Sequence, residues 1–404
     1  MRLDDQPWLT ASATRAVMAA LEAAGGPGCA RFVGGCVRNA LIGAPVADID
    51  IATTLKPEET DRAIRAAGLK AVPTGIAHGT VTAVSERQAF EITTLRRDVS
   101  TDGRNATVAF TDDWAEDAAR RDFRLNALYA DGDGRVFDPT GEGVADAAAG
   151  RIVFVGDPET RIREDYLRIL RFFRFFAWYG RGEPDGAALE ACRALASGMT
   201  RLSAERVSKE LMALLAAPDP RVAMAAMAEA GVLAQILPEA ATGPVFEAAV
   251  EVSPDPVIRL MMLLPPDEGL VREASARLRL PNATRDRLAA AAVAAPIVSL
   301  KMGDPEVRAA VYRHGHRAVA DALHRRWVEA PGKADAARRL LALAEGWRRP
   351  SMPVGGRDLA RLGVEPGPGT GRLLKAFEDG WIADDFPSGG HGERLAALIN
   401  LLRG

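Results

Sequence analysis

Asp48 and Asp50 stand one residue apart in "VADIDIATT" (46–54), a run that otherwise reads as a buried strand. Side chains alternate between the faces of a strand, so both carboxylates project from one face. Like charges that close repel each other and lose hydration unless a cation neutralises them. Mg2+ suits the task, because it takes carboxylate oxygens together with water and substrate phosphates, and two such ions can clamp the attacking and leaving oxygens of a nucleotidyl transfer. Two incidental acids at a solvated strand end are the plain alternative, and the neighbouring residues weigh against it. Gly34 and Gly35 follow the apolar "RFV" and precede "CVRNALIG", which begins like a helix. Glycines there let backbone N–H groups approach a phosphate, whose charge a helix start favours. Arg38, one turn further on, can reach the same anion. Glu91 lies in a second alternating run, "AFEITTLR"; if that strand runs beside the first, Glu91 completes a three-carboxylate metal site. Neither the dinucleotide fingerprint nor G-K-[ST] is present.

A second constellation lies over a hundred positions later. "RIREDYLRILRFFRF" (161–175) reads as one helix, with Ile162, Ile169, Leu170, Phe173 and the following Phe176 available for a core. Asp165 and Arg168 are i,i+3 neighbours on one face, an acceptor beside a donor fork. Cytosine and adenine both present an amino donor next to a ring-nitrogen acceptor, whereas uracil and guanine present the reverse. An Asp–Arg pair therefore accepts C and A and leaves buried polar groups unpaired against U and G, a mismatch that hydrogen-bonding sites reject by factors on the order of 10⁴. The plain alternative is a helix-surface ion pair worth a few tenths of a kcal/mol.

The elements that must hold these residues fall into two kinds. Residues 11–24 form an amphipathic helical pattern closed by "GGPG", and short β-like runs alternate with helical ones to about residue 138, with "SERQ" as a hairpin turn. After residue 150 the apolar spacing is helical almost throughout. Pro/Gly-rich joints near 218–220, 264–268 and 349–356 mark boundaries in a chain of 404 residues, too long for one ordinary core. The net charge of −3 argues against a basic nucleic-acid coat. Arginine supplies most of the positive charge and suits phosphate work, although a GC-rich genome explains most of it. Cys29, Cys36 and Cys192 have no metal or disulfide spacing and read as reduced thiols. With no signal-peptide pattern and no apolar stretch of membrane length, a soluble cytoplasmic protein is expected. His78, His314, His316, His324 and His391 include no His-Asp pair, so an appended metal-dependent phosphohydrolase is not expected, and "RHGHR" (313–317) reads as a basic turn.

"VGGCVRNALIGAPVADIDIATT" resembles the signature of the polymerase β-like nucleotidyltransferases, in the branch of bacterial class II tRNA nucleotidyltransferases (CCA-adding enzymes) and poly(A) polymerases. "ARRDFRLNALYAD" (119–131), the segment 136–175 and "RLSAERVSKELMALL" (201–215) follow in that branch's order, so the likeness spans about residues 30–215. Two departures stand out: Asn39 where the family usually has Asp, and Arg124-Leu125 where it has Thr-Ile or Thr-Val. Neither replaces a metal ligand.

The resemblance implies an α+β fold: a small nucleotidyltransferase head with a mixed sheet (1–148), then an all-α neck that reads the base (149–217), a body (218–348) and an RNA-binding tail (349–404). It implies Mg2+ on Asp48 and Asp50, aided in catalysis by Glu91. Asp165 and Arg168 would serve as an amino-acid template for CTP and ATP, with Arg171 and Arg174 toward the triphosphate or base. Arg121 and Asp122 would hold triphosphate and ribose, supported by Asn126, beside Gly34, Gly35 and Arg38; Arg120 is a weaker candidate. "DVSTDGRNATVAF" (98–110) resembles the family's flexible loop associated with the switch from C to A, and "VGGRDLARLGVEPGPGTGRLLKAF" (354–377) its RNA-binding tail. The implied partner is tRNA, met at its 3′ end and acceptor/T arm, with no membrane and no obligate protein partner. Two other readings stand beside CCA addition: a poly(A) polymerase, which usually carries a basic stretch before the glycine pair, and a non-catalytic RNA-binding protein with a degenerate head.

Overall fold

The computed structural model describes residues 1–3, 5–76, 79–102 and 105–403, and its side chains apart from 98–108 and 402–403. It comprises two compact units, Met1–Pro238 and Glu239–Gly404.

The first unit carries the strands β1 (Ala30–Val33), β2 (Asp50–Thr53), β3 (Lys70–Gly75), β4 (Thr80–Ser85), β5 (Gln88–Thr94), β6 (Arg96–Asp102), β7 (Asn105–Phe110), β8 (Tyr129–Ala130) and β9 (Val136–Phe137). Seven of them form a mixed sheet in the order β3-β4-β5-β2-β1-β8-β9. All of its pairings are antiparallel except β2 with β5, which run parallel with Asp50 opposite Glu91. The β4–β5 hairpin turns on Glu86 and Arg87, at φ 50° and 68°, the left-handed two-residue geometry that matches strand twist. The helix Pro57–Ala66 begins with proline at its first position, and the Glu59 carboxylate accepts from the Lys56 N–H at 2.9 Å.

Three expectations need revision. The strand begins at Asp50, so Asp48 lies in the segment leading into it, although alternation persists: Asp48 is exposed and Ile49 is buried. Residues 98–110, expected as a loop, fall in β6 and β7, whose backbones form their own two-stranded ladder; Gly103 and Arg104 lie outside the described residues. The run 161–175 is two helices, Pro158–Glu164 and Leu167–Tyr179, separated at Asp165 and Tyr166. Asp165 is extended there (φ −153°, ψ 107°), and its Oδ1 accepts from the Leu167 N–H at 3.1 Å, as an N-cap carboxylate does. Helical periodicity survives the break, because a capped restart keeps the same face inward.

That inward face is apolar. Ile162, Ile169, Leu170, Phe173 and Phe176 are all buried. Phe123 lies 4.9 Å from Phe154 and 5.2 Å from Phe175 between ring centroids, and Phe154 stacks on Phe172 at 6.0 Å. Aromatic packing of this kind fixes the helix Leu167–Tyr179 against the segment 119–131. The second unit is helical among its described residues. One of its cores contains Val307, Val311, Leu323 and Leu340, and another gathers Phe377, Trp381 and Leu395 on Tyr312. No helix of the described residues is long and apolar enough to cross a membrane.

Candidate active site

The parallel register of β2 and β5 places Asp50 and Glu91 on neighbouring strands, facing the same side. Burial raises the Asp50 pKa to about 6, with the charges of Glu91 and Asp48 adding to it and Arg121 opposing. Among the described residues no hydrogen bond or ion pair reaches the carboxylates of Asp48, Asp50 or Glu91. The donor set therefore fits a divalent cation. It is an open site: no three His, Cys, Asp or Glu side chains of the described residues gather into a ready metal cage. The strand of Glu91 does run beside that of Asp50, as the three-carboxylate expectation required, but the three carboxylates are not gathered into one cluster among the described residues. Two carboxylates completed by water and phosphate are what a hard cation such as Mg2+ accepts.

Gly34 carries φ +71°, and a Cβ there would stand 3.6 Å from the Asn126 carbonyl and 3.7 Å from Arg121 Nη1. Glycine is required by the backbone angle, and its missing side chain leaves Arg121 beside the helix Gly35–Leu41. Arg121 Nη2 donates to Asp117 Oδ2 at 2.9 Å, and the Tyr129 hydroxyl donates to the same oxygen at 2.7 Å. Arg120 donates to the other Asp117 oxygen at 2.7 Å. Burial pushes the Asp117 carboxyl up, but the two guanidiniums outweigh it and hold the pKa at about 2. Asp122, buried, accepts from Asn126 Nδ2 at 3.1 Å and from Arg171 Nε at 2.8 Å. It too is raised by burial and brought down, mainly by Arg171, to about 2.

Arg38 is less open to an anion than expected. It is buried, donating to Asn126 Oδ1 at 2.5 Å and to the Tyr179 hydroxyl at 2.8 Å, with its guanidinium 3.9 Å above the Tyr179 ring. Asp165 and Arg168 do not pair with each other, so the plain alternative of a helix-surface ion pair between them is absent. Asp165 accepts from Arg206 at 2.6 Å, and Arg168 donates to Glu164 at 2.5 Å and to the Arg161 carbonyl at 2.9 Å. The two residues still share a turn, through Arg168 N–H to the Asp165 carbonyl at 3.0 Å. Arg171 and Arg174 lie one helical turn apart; Arg174 donates to Glu210 at 2.5 Å.

The sequence reading missed the residues that hold these side chains. Asp117 was discoverable, since it lies in the helix Trp114–Ala119 four positions before Arg121, which follows the helix end. Arg206 and Glu210 sit in the quoted "RLSAERVSKELMALL". Tyr179 carried no local signal.

Residues 30–153 match the family described as "Poly A polymerase head domain", and residues 183–243 match "Probable RNA and SrmB- binding site of polymerase A". The human protein named CCA tRNA nucleotidyltransferase 1, mitochondrial, is 34% identical over 87% of this chain and 82% of its own length. The chain belongs to the CCA tRNA nucleotidyltransferase family. The CCA-adding enzyme of Limosilactobacillus fermentum is 31% identical over 92% of this chain and 94% of its own. A Bacillus stearothermophilus CCA-adding enzyme solved with CTP superposes with a TM-score of 0.79 at 24% identity, covering 98% of both chains, which establishes the shared α+β fold. Nucleotidyl transfer in this family implies a divalent metal. Of the two departures, Arg124 joins a structural ion cluster, its Nε 2.8 Å from buried Asp146.

Proposed function

We propose that this chain adds C, C and A in turn to the 3′ end of tRNA, using CTP and ATP and no nucleic-acid template. The observation that carries the reading is the turn shared by Asp165 and Arg168, each clamped by a different segment and so presented as a fixed acceptor and a fixed donor. Preorganised edges of this kind accept C and A and reject U and G. We assign Asp165 and Arg168 to the base, Arg171 and Arg174 to base and triphosphate, and Arg121, Asp122 and Asn126 to triphosphate and ribose beside Gly34, Gly35 and Arg38.

Asp48 and Asp50 are the residues that would hold Mg2+, with Glu91 adding negative charge on the adjoining strand. Bound there, the metal supplies a lowered pKa for the RNA 3′-hydroxyl and screens phosphate charge. The chain's own part is positioning. Asp117 aims Arg121 at the glycine pair, and Asp122 ties the triphosphate side to the base-reading helix through Arg171. The division at 1–148, 149–217, 218–348 and 349–404 into head, neck, body and RNA-binding tail is part of the same proposal. So is a cytoplasmic location, supported by three free buried cysteines.

The test is incubation with Mg2+ and tRNA trimmed of its CCA, each NTP offered singly and then together. Incorporation of C, C and A followed by a halt is expected. An open-ended A tail would show a poly(A) polymerase instead, and no incorporation would overturn the catalytic reading.

A further inference from the structure

Arg38 is 6% exposed, yet every polar atom it bonds is neutral. Asn39 Oδ1 accepts from its Nε at 3.1 Å and its Nη2 at 2.8 Å, Asn126 Oδ1 from its Nη1 at 2.5 Å, and the Tyr179 oxygen from its Nη2 at 2.8 Å. Among the described residues no carboxylate forms an ion pair with it. The acid whose charge does reach it, Asp122, is already bound by Arg171, and Arg174 works against it. A buried cation held only by neutral acceptors is costly until an anion arrives.

Asn39 is used at both ends of its carboxamide. Its oxygen faces Arg38, and its Nδ2 donates to the Pro45 carbonyl at 2.8 Å, in the segment that runs to Asp48. That second bond fixes which end meets the guanidinium. A carboxylate at this position would neutralise Arg38 and would set an oxygen against the Pro45 carbonyl.

We propose that Asn39 is a positioning residue that sets the affinity of this site for polyphosphate: it orients Arg38 through a neutral oxygen and leaves the guanidinium charge for the triphosphate of the incoming nucleotide. The assignment rests on the nucleotidyltransferase reading and concerns one step within it, the capture of the triphosphate.

Calorimetric titration of the full chain with inorganic tripolyphosphate, in Mg2+ buffer without RNA, tests it in three forms: unaltered, Asn39→Asp and Asn39→Ala. Asn39→Asp is expected to weaken tripolyphosphate about tenfold, the effect of one added charge near the anion. It should raise KM for CTP and ATP by that same factor while discrimination against UTP and GTP stays unchanged. Asn39→Ala removes both bonds but adds no charge, and should weaken tripolyphosphate only about threefold. Undiminished binding by Asn39→Asp overturns the proposal, as does equal weakening by Asn39→Ala. If the unaltered chain binds tripolyphosphate but adds no nucleotide to trimmed tRNA, the catalytic reading fails, and the two variants still decide the role of Asn39. Absence of tripolyphosphate binding by the unaltered chain overturns both.

Discussion

The two halves of the candidate site treat charge in opposite ways. At the sheet, Asp50 and Glu91 on their strands and Asp48 in the segment before the first of these have no bonded cation among the described residues, and Asp50 is raised to about 6 by burial and by the other two acids. On the helices, Asp165 is held by Arg206, Arg168 by Glu164, Arg171 by Asp122 and Arg174 by Glu210. The first arrangement stores repulsion that a divalent cation relieves. The second spends its charges in advance to fix geometry. Chemistry that needs a metal and chemistry that needs a fixed hydrogen-bond edge thus ask for different electrostatics, and one chain supplies both within its first unit.

The largest expected effect strikes the sheet. Asp50→Ala should reduce nucleotide incorporation by roughly 10³-fold or more in single-turnover assays, as loss of a metal-holding carboxylate does. The metal-free fold should survive and even gain stability. Because the folded-state pKa of Asp50 is raised, its ionised form costs stability above about pH 6, and that cost is relieved as pH falls through 6 toward the unfolded carboxylate range. Asp50→Asn should therefore raise the melting temperature at pH 8 more than at pH 5; a drop at pH 8 breaks the contrast.

Asp165→Ala should relax base choice by about 10²-fold, read as UTP and GTP misincorporation in competition with CTP. Unchanged selectivity would remove Asp165 from the template. Asp122→Asn leaves Arg171 short of its buried counter-ion and should cost about 3 kcal/mol of stability in denaturant titration. The sign of its pH dependence is opposite to that of Asp50: the folded pKa is depressed to about 2, so the contribution is present above the unfolded carboxylate value and disappears as pH falls through 2. The smallest effect belongs to Arg206→Ala, which frees Asp165 without touching substrate. About tenfold lower fidelity is expected if prior clamping matters, and wild-type fidelity would mean the helix face is no more preorganised than the sheet.

Much of this was legible in the chain itself. Alternation around Asp50 and in "TVTAVS" gave the strands, and three- and four-residue spacing gave the buried face of 162–176. β3, β6 and β7 escaped notice although they are as long as β4 and β5: Pro73 and Gly75 interrupt the pattern of β3, and β6 and β7 carry the segment 98–110 that resembles a loop, while β8 is only two residues long. The break at Asp165 also escaped, since a capped restart preserves the apolar period on either side.

The sequence by itself determined the chemical inventory: two aspartates at strand spacing, a glycine pair, and an acid and an arginine three apart. Those are matters of residue type and local geometry, which the backbone imposes over a few residues. Tertiary structure alone decided partnership. Which carboxylate meets Arg171, Arg174 or Arg206, that Asp50 and Glu91 stand in register, and that Asn126 and Tyr179 meet Arg38 are contacts between segments tens of residues apart. Charge pairing depends on distance and burial, and those quantities exist only once the chain has packed.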